Sequence, residues 1–179
     1  MLNKVLDRYC RILSLAMAAA LGGMVILVFT NVVLRYAFNS GIAVSEELSR
    51  WLFVWVTFMG AVVSIKDGSH LGTDTLVSRL SLVGKKTCFV VGHLLMIFIC
   101  GLLFKGTLDQ VKINWTTTSA AMEASMAIFY GCGLVLSLSG GIIILSKLWR
   151  MLNGQLSEAE LIGIRESEEE PIDTPQPVK

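Results

Sequence analysis

Residues 12–34 read ILSLAMAAALGGMVILVFTNVVL, a run without a single Asp, Glu, Lys or Arg. At about 1.5 Å rise per residue, roughly 20 apolar residues cross the roughly 30 Å hydrocarbon layer of a bilayer, so this run is long enough outright. Three more charge-free windows follow, at 51–65, 87–104 and 124–146. The last is also long enough and the third nearly so, but the second reaches only roughly 22 Å and must draw its charged flanks toward the membrane. The pattern predicts an all-α polytopic membrane protein with four transmembrane helices, at about 12–35, 46–66, 85–108 and 122–149, within a domain spanning 1–153.

The composition agrees with that reading. Of 179 residues, 54% are hydrophobic and 16% charged, against roughly 25% charged in a soluble domain. The 15 Lys and Arg nearly balance the 14 Asp and Glu, which leaves no basic excess to neutralise nucleic-acid phosphate. Lys4, Arg8 and Arg11 make a basic start resembling a signal peptide. The apolar run that follows outlasts the roughly 7–15 residues of such a segment, and Ala18, Ala19 and Ala20 fall in its middle, so the first helix is expected to stay as an anchor. Basic residues cluster before helix one, between helices two and three (Lys66, Arg79, Lys85, Lys86) and after helix four (Lys147, Arg150). The positive-inside rule then places both termini in the cytoplasm.

The connections differ in character. Asn39, Ser40 and Gly41 form a turn cluster on the outer side. At 73–82, Leu76, Val77 and Leu80 share one helical face. That suits a short amphipathic helix in the inner interface, with an ordinary polar loop as the alternative. The outer segment 105–123 is polar, with Trp115 as an interface anchor and Thr116 to Ser119 as a turn. Residues 154–179 are acidic and carry Pro171, Pro175 and Pro177, a composition that predicts disorder.

A search for chemistry returns little. Cys10, Cys88, Cys100 and Cys132 form no C-x-x-C pair, and His70 and His93 stand on different segments. No phosphate loop, zinc spacing or Ser-His-Asp set is present, so no catalytic, cofactor or metal residue is assigned and the chain is not expected to be an enzyme. The central turns of the four windows carry no carboxylate, which argues against a self-sufficient exporter or transporter.

What the sequence supplies is contact surface. Gly133, Ser137 and Gly141 recur every four residues along helix four and let another backbone approach, either within this chain or from a partner. Trp51, Trp55 and Phe58 form an aromatic stripe on helix two. The densest signal is 31–60, NVVLRYAFNSGIAVSEELSRWLFVWVTFMG. Asn31 and Arg35 share a face near the outer end of helix one, and Glu46 and Arg50 repeat the spacing at the start of helix two, where Ser45 is expected as N-cap. The reading is that Glu46 or Glu47 pairs with Arg35 to staple a hairpin, and that this cluster also docks a second subunit, with plain interfacial solvation as the alternative.

The order N-V-V-L-R-Y-x-F, then E-E-x-x-R-x-L-F-V-W-x-x-F-x-G-A, with His70 before Asp74, resembles the small membrane subunit of tripartite ATP-independent periplasmic (TRAP) transporters. Carried over by that resemblance, Asn31, Arg35, Tyr36, Phe38, Glu46, Glu47, Arg50, Leu52, Phe53, Trp55, Phe58, Gly60 and Ala61 fill the family's characteristic positions. The resemblance implies an inner-membrane location and a division of labour. A periplasmic binding protein captures an organic acid, and a large membrane subunit, encoded separately, moves it with sodium. The small subunit braces that partner and holds neither the sodium nor the substrate site. Among organic acids the overall likeness favours a sialic acid, then a C4-dicarboxylate. One departure is Met122-Glu123-Ala124-Ser125, where the family often opens its fourth helix with a small-residue and proline turn.

Overall fold

The computed structural model describes residues 2–67 and 82–153. The expected interfacial helix at 73–82 and the acidic tail at 154–179 lie outside the described residues, save the first residue of the next helix. Four long helices carry the fold: α1 (Leu2–Phe38), α2 (Ala43–Asp67), α3 (Leu82–Ile113) and α4 (Met126–Leu152). Each holds a stretch apolar and long enough to cross a membrane. Together they make an all-α polytopic membrane protein.

Most helices outrun the bounds read from the charge-free windows, because those windows mark the hydrocarbon-facing part of a helix and not its hydrogen bonding. At about 1.5 Å per residue, α1 is about 55 Å long and α2 about 37 Å. The first turns of α1 carry charges yet stay helical, since Leu6, Tyr9 and Leu13 turn toward the core and Asp7 meets Lys66 of α2 at 2.7 Å. At its other end α1 stops where Asn39 takes a left-handed backbone, φ 52, a conformation Asn tolerates better than most residues. The Ser40 N–H turns back to the Leu34 carbonyl at 3.1 Å. Helix α4, expected from 122, begins at Met126 because Ser125 is its N-cap and accepts from the Ala127 N–H.

Among the described residues the helices do not close into a bundle. Extensive contacts run from α1 to α2, from α2 to α4 and from α4 to α3, so the four stand in a row ordered 1-2-4-3. In the most apolar stretches of the flanking helices, 6% of residues are buried for α1 and 0% for α3, against 33% for α4. The core joins α1, α2 and α4: Leu13, Met59, Val62 and Ile143 are buried together, with Trp55 and Leu136 against them.

In lipid, burying Leu against Leu gains little over burying it in acyl chains, so close packing and interhelical hydrogen bonds hold such a row. The Tyr9 hydroxyl and Ser139 Oγ lie 2.7 Å apart and tie α1 to α4. Lys147 Nζ donates to the Ile65 carbonyl at 2.7 Å, which secures the last turn of α2. Both contacts sit at the end of the row that carries the termini. The opposite end carries the α1–α2 turn and the α3–α4 loop, and is called here the loop end.

Candidate functional site

The loop end gathers the charged residues singled out above. Asn31 is buried although it is polar, and the reason is geometric. Its amide donates to Glu46 Oε1 at 3.2 Å, while its Oδ1 accepts the Ile42 N–H at 2.8 Å, so one side chain closes the turn between α1 and α2. Arg35 does approach Glu46, at 4.0 Å, with the two side chains 71% and 58% exposed. An exposed pair at that distance contributes at most about 1 kcal/mol. The hairpin is therefore stapled by Asn31, and Arg35 stands largely outside the staple.

Glu47 points elsewhere. Adjacent residues on a helix project about 100° apart, so when Glu46 faces α1 its neighbour faces α4 and the α3–α4 loop. Glu47 Oε2 accepts the backbone N–H of Ala121 at 2.8 Å and of Met122 at 3.2 Å. Of the two carboxylates expected beside Arg35, Glu46 is the one that approaches it, and Glu47 is committed to the loop. The loop it grips is a small hairpin: Ser119 N–H donates to the Ala124 carbonyl at 2.9 Å, and Met126 N–H donates to that of Thr117 at 2.9 Å. Met122 N–H also reaches Ser119 Oγ at 3.3 Å, and Glu123 takes a positive φ of 54 at the bend. Trp115, the expected anchor, stands 69% exposed beside it.

Ser45 is not an N-cap. Helix α2 already runs from Ala43, and the buried Ser45 hydroxyl instead donates across to the Leu27 carbonyl of α1 at 2.8 Å. Ser49, one turn on, is buried too and donates to the Ser45 carbonyl at 2.7 Å. These two small side chains let α1 and α2 approach closely.

The aromatic stripe turns inward. Trp51 is 7% exposed and its ring lies 5.7 Å from that of Phe129 on α4. A Cβ built on Gly131 would stand 3.7 Å from Trp55. Both tryptophans thus pack against α4 of the same chain. The small-residue stripe behaves likewise. Gly133 faces Thr107 of α3 so closely that an added Cβ would overlap the threonine methyl, and one on Gly140 would meet Ile65 at 3.1 Å. Ser137 is buried between them. Gly141 stands outside that contact, with nothing within 4 Å of an added Cβ. Sequence spacing pointed to Gly141 over Gly140, because a strict four-residue repeat drifts around a 3.6-residue helix.

Tyr36 and Arg50 are exposed at this end, Tyr36 at 86%. Among the described residues no group of three His, Cys, Asp or Glu side chains is placed to hold a metal ion. All four cysteines are free thiols, with Cys10 and Cys132 buried. His93 lies half-buried on α3, stacked on Phe89 at 3.8 Å, with Nδ1 2.9 Å from the Phe89 carbonyl.

Comparison with known proteins points one way. The family described as tripartite ATP-independent periplasmic transporters, DctQ component, matches residues 24–154. A TRAP transporter small permease protein of Haemophilus influenzae is 33% identical over 147 residues, which cover 82% of this chain and 87% of that protein. The C4-dicarboxylate TRAP transporter small permease protein of Vibrio cholerae is 34% identical over 85 residues, covering 43% of this chain and 37% of that one. The isethionate TRAP transporter permease protein of Oleidesulfovibrio alaskensis is 26% identical over 114 residues, which make up 17% of its length. With four membrane-spanning helices, a staple built on the Asn31 and Glu46 positions of the quoted motif, and matches over most of its length, the chain belongs to the small permease subunits of TRAP transporters, multi-pass proteins of the inner membrane.

Proposed function

We propose that this chain is the stationary small subunit that braces the large membrane subunit of a sodium-coupled TRAP transporter. The observation that carries this reading is the open row of helices. A four-helix protein that moved a solute by itself would enclose a polar path. Among the described residues, this one leaves α1 and α3 with one main neighbour each. Their outward faces are apolar and exposed, with Ile12, Val25 and Phe29 on α1 and Leu95, Phe98 and Leu102 on α3. Such a row suits an apolar flank laid against a larger helical body, which widens that body in the bilayer while its mobile part slides. The sodium and substrate sites belong to the large subunit, and this chain supplies no cofactor.

The partner contacts assigned to this chain are Tyr36 and Arg50 at the loop end, with Gly141 on the open side of α4, while Arg35 stands over the groove between α1 and α2. Asn31, Glu46, Glu47, Trp51 and Trp55 act within the chain and hold those contacts in place. Both termini lie in the cytoplasm, so the loop end faces the periplasm. There the hairpin gripped by Glu47 presents Trp115 and Thr116 to the binding protein, a transient partner. The transported solute is an organic acid. A sialic acid is the first candidate by overall likeness and a C4-dicarboxylate the second, the latter being what the Vibrio cholerae relative is named for.

The test is reconstitution. Vesicles holding this chain with its large subunit and binding protein take up the organic acid when an inward sodium gradient is imposed, and the two membrane chains copurify from detergent. Accumulation by vesicles holding this chain alone would overturn the reading.

A further inference from the structure

The loop end carries a groove of about 250 Å³, lying between α1 and α2 and lined by Val28, Val32, Arg35, Tyr36 and Glu46 among others. It is smaller than the roughly 300–1,000 Å³ typical of small-molecule sites. Its chemistry changes with depth. Val28 and Val32 lie within the charge-free run of α1, whereas Arg35 is the first charge after that run ends. The groove therefore straddles the boundary between acyl chains and headgroups.

We infer that this groove holds the headgroup of a zwitterionic phospholipid with a primary ammonium, phosphatidylethanolamine in class, with phosphate on Arg35 and ammonium on Glu46. Three observations converge on it. The guanidinium and carboxylate sit side by side at 4.0 Å, opposite charges at the level where a headgroup dipole lies. Glu46 is positioned by the Asn31 amide, itself anchored by the Ile42 N–H, so the acceptor does not have to be ordered on binding. Arg35 is 71% exposed on its side chain and offers the planar fork that matches phosphate oxygens in pairs.

The same charges discriminate. A headgroup of net negative charge brings no cation to Glu46 and is repelled by it. A trimethylated ammonium carries no N–H to donate to the carboxylate. A free organic acid would set its carboxylate against Glu46, so the groove is not a solute site. This inference does not depend on the bracing role: it concerns the chain and its lipid whether or not a partner is bound.

The experiment is native mass spectrometry of the full chain, alone and with its large subunit, in mild detergent with equal amounts of phosphatidylethanolamine, phosphatidylglycerol and phosphatidylcholine of identical acyl chains. Phosphatidylethanolamine adducts are expected to exceed the other two about threefold or more, the discrimination appropriate to part-exposed charge-assisted contacts. Arg35→Gln, an exposed change, lowers them about three- to tenfold. Glu46→Gln keeps an acceptor for Asn31, so the turn stays closed while the preference shifts toward phosphatidylglycerol. Val32→Trp fills the apolar part of the groove and removes retention without loss of helix content. Equal retention of all three lipids, or unchanged adducts in both charge variants, would overturn the inference. So would loss of the lipid from the complex together with crosslinking of a Val32→Cys variant to the large subunit, since a protein side chain would then occupy the groove.

Discussion

Replacing Glu47 by Ala should loosen the α3–α4 loop while leaving the four helices in place. The carboxylate accepts two backbone N–H groups, from Ala121 at 2.8 Å and Met122 at 3.2 Å, and hydrogen bonds to charged groups contribute about 1.5–3 kcal/mol each. The two losses are unequal. Met122 N–H keeps Ser119 Oγ at 3.3 Å, so most of the effect falls on Ala121. The site is half-buried, so water recovers part of the loss and the net is about 2–3 kcal/mol. At 1.4 kcal/mol per factor of ten this corresponds to about a 30- to 150-fold rise in local opening. Amide hydrogen exchange of the full chain in detergent reads it directly, with peptides covering 114–125 accelerated and peptides in the middle of α4 unchanged. Glu47→Gln, which keeps an acceptor oxygen but not the charge, should fall between wild type and Glu47→Ala. If exchange of the Ala121 and Met122 amides is unaltered in Glu47→Ala, the carboxylate does not hold the loop and the reasoning fails.

Other outcomes follow from the packing. Gly133→Ala places a methyl against Thr107, whose hydroxyl is tied to the Leu103 carbonyl at 2.7 Å. Overpacking of this kind costs about 1–3 kcal/mol and should lower the thermal midpoint of the purified chain. Gly141→Ala meets nothing within 4 Å and gains up to about 1 kcal/mol of helix propensity. The isolated chain should be no less stable, while copurification with the large subunit should weaken if Gly141 faces that partner. Glu123 sits at φ 54, where Gly avoids the steric cost of a side chain, so Glu123→Gly should raise the thermal midpoint slightly despite its greater entropy when unfolded. For orientation, Thr116→Cys should react with an impermeant thiol reagent from the periplasmic side and Asn153→Cys only after the membrane is inverted; the reverse pattern would put the termini outside.

At the loop end, the sequence brought the right residues together but not their partners. Spacing alone shows that Asn31 and Arg35 share a face of α1 and that Glu46 follows after a short turn. It does not show which of the two reaches Glu46 first, because that depends on how far the turn folds back. The turn brings the Ile42 N–H within 2.8 Å of Asn31 and so buries the amide. Glu47 and its loop were illegible for a stronger reason: the contact joins residues 74 apart in the chain, and no local pattern carries information over that span. Ser45 is ambiguous in sequence because the same hydroxyl that caps a helix start can bond to a neighbouring helix, and only the closeness of Leu27 decides between them.

Hydropathy alone determined that this chain lives in a bilayer as four α-helices, since a backbone in hydrocarbon must satisfy its own hydrogen bonds and a helix is the local way to do so. The tertiary structure decided how those helices stand, in a row with α4 between α2 and α3 and not in a closed bundle. Lipid is as apolar as the helix faces, so burial sets no preference between the two arrangements. The choice falls instead to a few close approaches, such as Gly133 on Thr107 and Gly140 on Ile65, and to hydrogen bonds between distant residues, none of which has a periodicity to read.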